Sequence, residues 1–194
     1  GTMARKKALL DFSQKHNLKI GTIADLINYR ILNEKTVEKI DQKSVKTEYG
    51  KFNLILYKDL IFDETHLVLQ KGKISKNSPT LVRVQQSNFF HDLLNINEFG
   101  ARWSVSDSMK KINEVGKGII LLIDGENKKQ DEFNEINSSK KKRITAPNND
   151  PRRIGIGSQI LRDLGVQKIK LMGSEVRYPS LSGFDLEVTE YLKK

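Results

Sequence analysis

The chain has 194 residues, of which 37% are apolar and 30% charged, and it carries a net charge of +10. That length supports one ordinary domain plus an appendage, with a real hydrophobic core. It contains no cysteine, which excludes disulfides, thiolate metal sites and a thiol nucleophile. No apolar run approaches the roughly 20 residues that span a bilayer. Charges interrupt every apolar stretch near the N-terminus, so there is no secretory pattern. No membrane role and a cytoplasmic location are the expectation. A net positive charge attracts anions in general, with phosphorylated ligands as the functional reading and solvated Lys faces as the plain one. Aromatics make up 7% and do not interleave with the basic clusters. A platform for stacking single strands is therefore poorly supported, and nucleic acid ranks last among partners.

In chain order, residues 3–17 place Ala8, Leu9 and Phe12 at helical spacing, and Asn17 closes that helix. Leu18-Lys19-Ile20 reads as a short strand. Thr22 is an N-cap with Asp25 in the capping-box position, opening a helix over 23–32 with Ile23, Leu26, Ile27 and Ile31 on one face. From Val37 the pattern turns to β. Strands are predicted over Val37–Lys46, Phe52–Tyr57, His66–Gln70 and Thr80–Gln85, as a meander with turns at 48–51 and 77–79. Ser104 caps a helix through Val105, Met109, Ile112 and Val115, which Gly116 ends. Gly118–Asp124 is a buried strand by its continuous aliphatic content. Residues 125–149 are polar and read as a long loop, and their Lys140–Arg143 cluster reads as solvated. A helix over Gly157–Leu164, a strand over Gln167–Met172 and a last strand over Phe184–Tyr191 complete an α/β layer.

The run Asp150–Phe184 begins DPRRIGIGSQILRDLGV. It resembles the substrate-site segment of GTP cyclohydrolase II, a zinc hydrolase of riboflavin biosynthesis, which reads D-x-R-D-[YF]-G-I-G-A-Q-I-L-R-D-L-G-V. The opening G-T-M-A-R, then H-N-L-K-I-x-T-I-A-D-L-I-x-Y-R, resembles the C-terminal tail of dihydroxybutanone phosphate synthase. Together these imply a C-terminal part of a bifunctional riboflavin-biosynthesis protein. Residues 1–32 would be the synthase tail, and 33–194 a cyclohydrolase-like domain. The fold implied is mixed α/β, an antiparallel-rich mixed sheet with flanking helices. The implied assembly is a homodimer with an upstream synthase domain in the same polypeptide.

The resemblance also shows what is lost. The family strand end R-V-H-S-E-C supplies the first of three cysteine ligands to zinc, which activates a water for attack on guanine. Here the strand end reads R-V-Q-Q-S-N, and the three ligand positions fall on Asn88, Phe99 and Ala101. The family His becomes Gln85 and its Glu becomes Ser87. The three histidines, His16, His66 and His91, are too widely spaced to restore a metal site, so none is expected.

The nucleotide contacts carried over are Arg83, Glu126 and Lys128; Lys128 stands where the family has Arg and is not its equivalent at a bidentate phosphate site. The family D-x-R pair survives as Asp150 and Arg152, which the resemblance makes the proton acceptor and the group that attacks the α-phosphate. Their plain reading is a turn and a solvated basic residue. Gly155-Ile156-Gly157 is expected to open a helix, where glycines let an anion approach free N–H groups.

Three functions follow as expectations. The first is a degenerate domain without zinc hydrolysis and without a resident cofactor, structural or regulatory for the synthase. The second is residual pyrophosphate release from GTP, with Mg²⁺ accompanying the nucleotide, through Asp150 and Arg152. The third is a basic RNA-binding module.

Overall fold

The computed structural model describes residues 5–22, 25–26, 29–30, 33–86, 92, 103–123, 151–176 and 179–194. The chain divides into two compact units, Gly1–Glu34 and Lys35–Lys194.

In the first unit, helix α1 spans Lys6–Lys15. Asn17 takes a left-handed φ of 51°, a conformation Asn tolerates just past a helix end. Leu18–Ile20 is not a strand. Leu18 folds back onto α1 instead, its N–H donating to Ser13 O at 2.9 Å while Ser13 Oγ donates to Leu18 O at 3.0 Å. The Thr22 capping box is present. Asp25 N donates to Thr22 Oγ1 at 3.0 Å, and Thr22 N donates to Asp25 Oδ2 at 3.1 Å. The Thr22 hydroxyl, which donates to Asp25 Oδ2 at 2.7 Å, and then the Thr22 N–H hold the Asp25 carboxyl below its ordinary range. Residues 25–26, 29–30 and 33 are helical, and Ile23, Ile27 and Ile31 lie outside the described residues.

The second unit is a mixed α/β layer. Among the described residues, seven strands form one sheet in the order β1-β2-β3-β5-β4-β6-β7. They are β1 Val37–Thr47, β2 Gly50–Asp59, β3 Thr65–Lys71, β4 Thr80–Gln86, β5 Gly118–Ile123, β6 Lys168–Met172 and β7 Glu187–Leu192. The pairs β1–β2, β2–β3 and β3–β5 are antiparallel, and β4–β5, β4–β6 and β6–β7 are parallel. The expected four-strand meander is thus broken, because β5 enters between β3 and β4. The last strand starts at Glu187 rather than Phe184, because Phe184 ends a 3-10 helix over Pro179–Phe184 and Asp185 turns with φ 57°.

Helix α2, Val105–Val115, covers one sheet face. Its Met109 and Ile112 pack with Phe52, Leu81, Ile120 and Met172. Ser104 Oγ accepts from Asp107 N at 3.1 Å, and Gly116 ends the helix at φ 79°.

Helix α3, Pro151–Asp163, lies on the other face, where Ile55, Tyr57, Val68, Ile119 and Leu121 are buried. The helix starts six residues before the expected Gly157, because Pro is well suited to a first helical position. Gly155 and Gly157 therefore sit inside the helix, where N–H groups serve the helix itself. This corrects the expected anion cradle. Gly157 serves packing instead. A Cβ there would lie 3.3 Å from Ile123 Cδ1 and 3.6 Å from Leu121 Cδ2, so its absence lets the helix close on the sheet.

Asp163, at the other end of α3, accepts from Lys35 Nζ at 2.9 Å and from Tyr57 Oη at 2.8 Å. Burial raises the Tyr57 hydroxyl, and its bond to the carboxylate raises it further. No helix among the described residues is long and apolar enough to cross a membrane.

Candidate functional site

Strand register brings the described candidates to one end of the sheet. Gln85 aligns with Leu122, Leu122 with Leu67, and Leu67 with Leu56. The ends of β2, β4 and β5 and the start of β3 therefore share one rim, at the carboxyl ends of the parallel strands β4 and β5. Ligands of open α/β sheets bind outside such strand ends.

Alternation along β4 then divides the rim between two faces. Arg83 and Gln85 point to the same side as Leu81, the face under α2. Val84 and Gln86 point to the side of α3, where Val84 Cγ1 lies 3.9 Å from the position of a Gly157 Cβ.

On the α2 face, Arg83 joins a polar chain. Its Nη1 donates to Met172 O at 2.8 Å and its Nε to Gln85 Oε1 at 2.8 Å. Gln85 Nε2 donates in turn to Asp92 Oδ1 at 3.1 Å and Oδ2 at 3.0 Å. Val105 N also donates to Asp92 Oδ1, at 3.4 Å. Gln85, at the position of the family His, thus links β4 to the start of α2. Gly173 follows Met172; a Cβ there would sit 3.4 Å from Arg83 Nη1.

On the α3 face, Arg152 meets the turn between β2 and β3. Its Nη2 donates to Glu64 Oε2 at 2.5 Å and lies 3.7 Å from Asp59 Oδ2. Its guanidinium carbon stands 3.4 Å from the centroid of the Phe62 ring. Asp59 also shapes this turn, its Oδ1 accepting from Ile61 N at 2.8 Å and Phe62 N at 3.3 Å. Arg153 donates to Gln86 Oε1. Arg153 replaces a family Asp and Gln86 a family Ser, so the two substitutions form one new contact.

Asp59, Glu64 and His66 bring one ligand-type atom each within 4.8 Å of one another. Asp59 and His66 are fully buried. The Arg152 guanidinium is a cation that the two carboxylates of this trio, Asp59 and Glu64, face. Sequence reading missed the trio and Phe62. Its only local signal is an Asp that opens a turn two residues before its bonded N–H.

Asp150, Glu126, Lys128, His91, Asn88, Phe99, Ala101 and the 125–149 segment lie outside the described residues. Zinc is the metal the resemblance implies, and the donor set does not fit it. The chain has no thiolate, and Phe99 and Ala101 have no side-chain donor atom.

Residues 38–193 match the GTP cyclohydrolase II family. The chain belongs to that family. Among family relatives, a 3,4-dihydroxy-2-butanone 4-phosphate synthase of Pseudomonas aeruginosa is 43% identical, over 99% of this chain and 53% of its own length. Riboflavin biosynthesis protein RibBA of Aquifex aeolicus is 38% identical, over 98% of this chain and 50% of its own. The crystal structure of RibBX, a two domain 3,4-dihydroxy-2-butanone 4-phosphate synthase from A. baumannii, superposes with a TM-score of 0.65. It shares 39% identity and covers 100% of this chain and 51% of that one.

The chain is thus a homologue of riboflavin-biosynthesis proteins, and it spans about half the length of the curated relatives it matches. The expectation of a C-terminal part of a bifunctional protein is corrected: similarity to relatives named for the synthase alone runs over 99% of the chain.

Proposed function

We propose that this chain is a cyclohydrolase-family domain that does not carry out zinc-dependent hydrolysis of GTP. It serves a structural, dimerising or regulatory role for a 3,4-dihydroxy-2-butanone 4-phosphate synthase, the activity named for its relatives. One observation carries this reading. All three thiolate positions are replaced, while the run Gly155–Val166 keeps its packing role in α3 and the turn that follows it, with Ile156, Ile160, Leu161 and Val166 buried. Selection for folding without selection for zinc leaves that combination.

The rewired rim supports the same reading. Gln85 ties Arg83 to Asp92, and Gln86 takes Arg153. These bonds stabilise the strand end without a metal. A role in assembly predicts a homodimer of the purified chain in analytical ultracentrifugation at micromolar concentration. A monomer under those conditions removes dimerisation from the proposal.

The second reading is an enzyme that releases pyrophosphate from GTP through Asp150 and Arg152, with Arg83, Glu126 and Lys128 on the nucleotide and Mg²⁺ accompanying it. It is favoured by the retained D-x-R residues and weakened by the ion pair of Arg152 with Glu64. It predicts pyrophosphate release that Arg152→Ala abolishes. A rate unchanged by that substitution rejects it.

A further inference from the structure

We propose that Glu64 is a built-in latch on Arg152, its carboxylate standing where the phosphate of a di- or triphosphate ligand would sit. This rests on the reading of Arg152 as the chain's phosphate-facing group. It adds an internal competitor from a turn far away in sequence.

The geometry points to competition rather than to an incidental surface pair. A guanidinium receives carboxylates and phosphates through the same planar fork of N–H donors. Glu64 Oε2 engages Nη2 at 2.5 Å, with Asp59 Oδ2 at 3.7 Å from the same nitrogen. Phe62 covers the guanidinium plane at 3.4 Å. All three residues come from one six-residue turn.

That turn is preorganised. Asp59 N donates to Glu64 O at 2.8 Å, and Asp59 Oδ1 caps Ile61 N and Phe62 N. Glu64 is thus held against Arg152 without ordering a free loop. The pair remains within reach of solvent, the side chains being 31% exposed for Arg152 and 24% for Glu64. An arriving anion would have to break this pair and leave Glu64 beside Asp59, a like-charge neighbour. The wild-type chain is therefore a poor receptor for phosphate groups even though the arginine is retained.

The test is calorimetric titration of inorganic pyrophosphate, and separately of GTP, into wild type, Glu64→Ala, Glu64→Gln and the double variant Glu64→Ala/Arg152→Gln. Circular dichroism and melting curves establish that each is folded. Glu64→Gln keeps the side chain's shape and carries the test if Glu64→Ala does not fold. The latch predicts pyrophosphate binding at least about tenfold tighter in Glu64→Ala, the worth of one charge-assisted hydrogen bond to the guanidinium nitrogen that Glu64 now occupies. It predicts a smaller gain in Glu64→Gln and loss of the gain in the double variant. An equal gain for GTP assigns recognition to the phosphates alone. A gain confined to GTP adds the nucleoside as a requirement. Either supports the latch. Affinity unchanged or undetectable in both Glu64 variants overturns it, as does a gain that survives Arg152→Gln. None of these outcomes bears on ring opening, which is read separately as formate.

Discussion

Asp163 links three segments of the second unit through its two carboxylate oxygens, one on Lys35 and one on Tyr57. Burial works against its ionisation. The hydrogen bonds from Lys35 and Tyr57 outweigh that and hold the carboxyl below its ordinary range. A lowered native pKa stabilises the fold fully above the unfolded value of about 3.9, and that contribution fades as pH falls through the native value. Asp163→Asn should therefore flatten the acid limb of the stability curve below about pH 4. Urea midpoints for both proteins across that range provide the check. An acid limb as steep in the variant as in wild type would exclude Asp163 from acid unfolding. At this scale the sequence was legible where partners are close. The box at Thr22 and Asp25 and the cap at Ser104 span three residues each. Arg152 and Glu64 lie 88 residues apart, and nothing local to either announces the other.

Two elements show where close approach sets residue identity. A Cβ on Gly118 at the start of β5 would lie 2.7 Å from Ile112 Cγ1 and 2.8 Å from the backbone oxygen of Leu81. Gly118→Ala must then push α2 off the sheet or displace β4. The expected cost is about 1–3 kcal/mol, read as a lower urea midpoint with an unchanged slope. No loss would mean that the α2 packing is looser than these distances require. At the other end of the element scale, Ser104→Ala removes the acceptor for Asp107 N and should cost about 1 kcal/mol. The start of α3 was misplaced because Asp-Pro reads equally as a turn and as a helix opening. The glycine run then looked like a helix entrance rather than a packing surface. The insertion of β5 between β3 and β4 was not legible either, since strand order depends on long-range pairing and not on period-2 alternation. Edge strand β1 is exposed along most of its length and bears Lys39, Lys43 and Lys46. Charges of that kind protect a free edge from pairing with another chain.

For the whole molecule, family membership rests on the match over residues 38–193. The loss of zinc ligands rests on the complete absence of cysteine. The mixed α/β class could be read in advance because the run from Asp150 kept its apolar spacing, which packing requires. The rewiring at the sheet rim was hidden, because Gln85 and Gln86 look like two neutral losses until alternation sends them to opposite faces. There each meets an arginine, Gln85 taking Arg83 and Gln86 taking Arg153. The net charge of +10 says only that anions are attracted in general. The specific question is whether any cyclohydrolase chemistry survives this rewiring. The most direct measurement is formate released from GTP by the purified chain in the presence of zinc and Mg²⁺. No formate above the protein-free control is expected at any zinc concentration. Zinc-dependent formate release that scales with protein would contradict that expectation and would require a metal site built without thiolates.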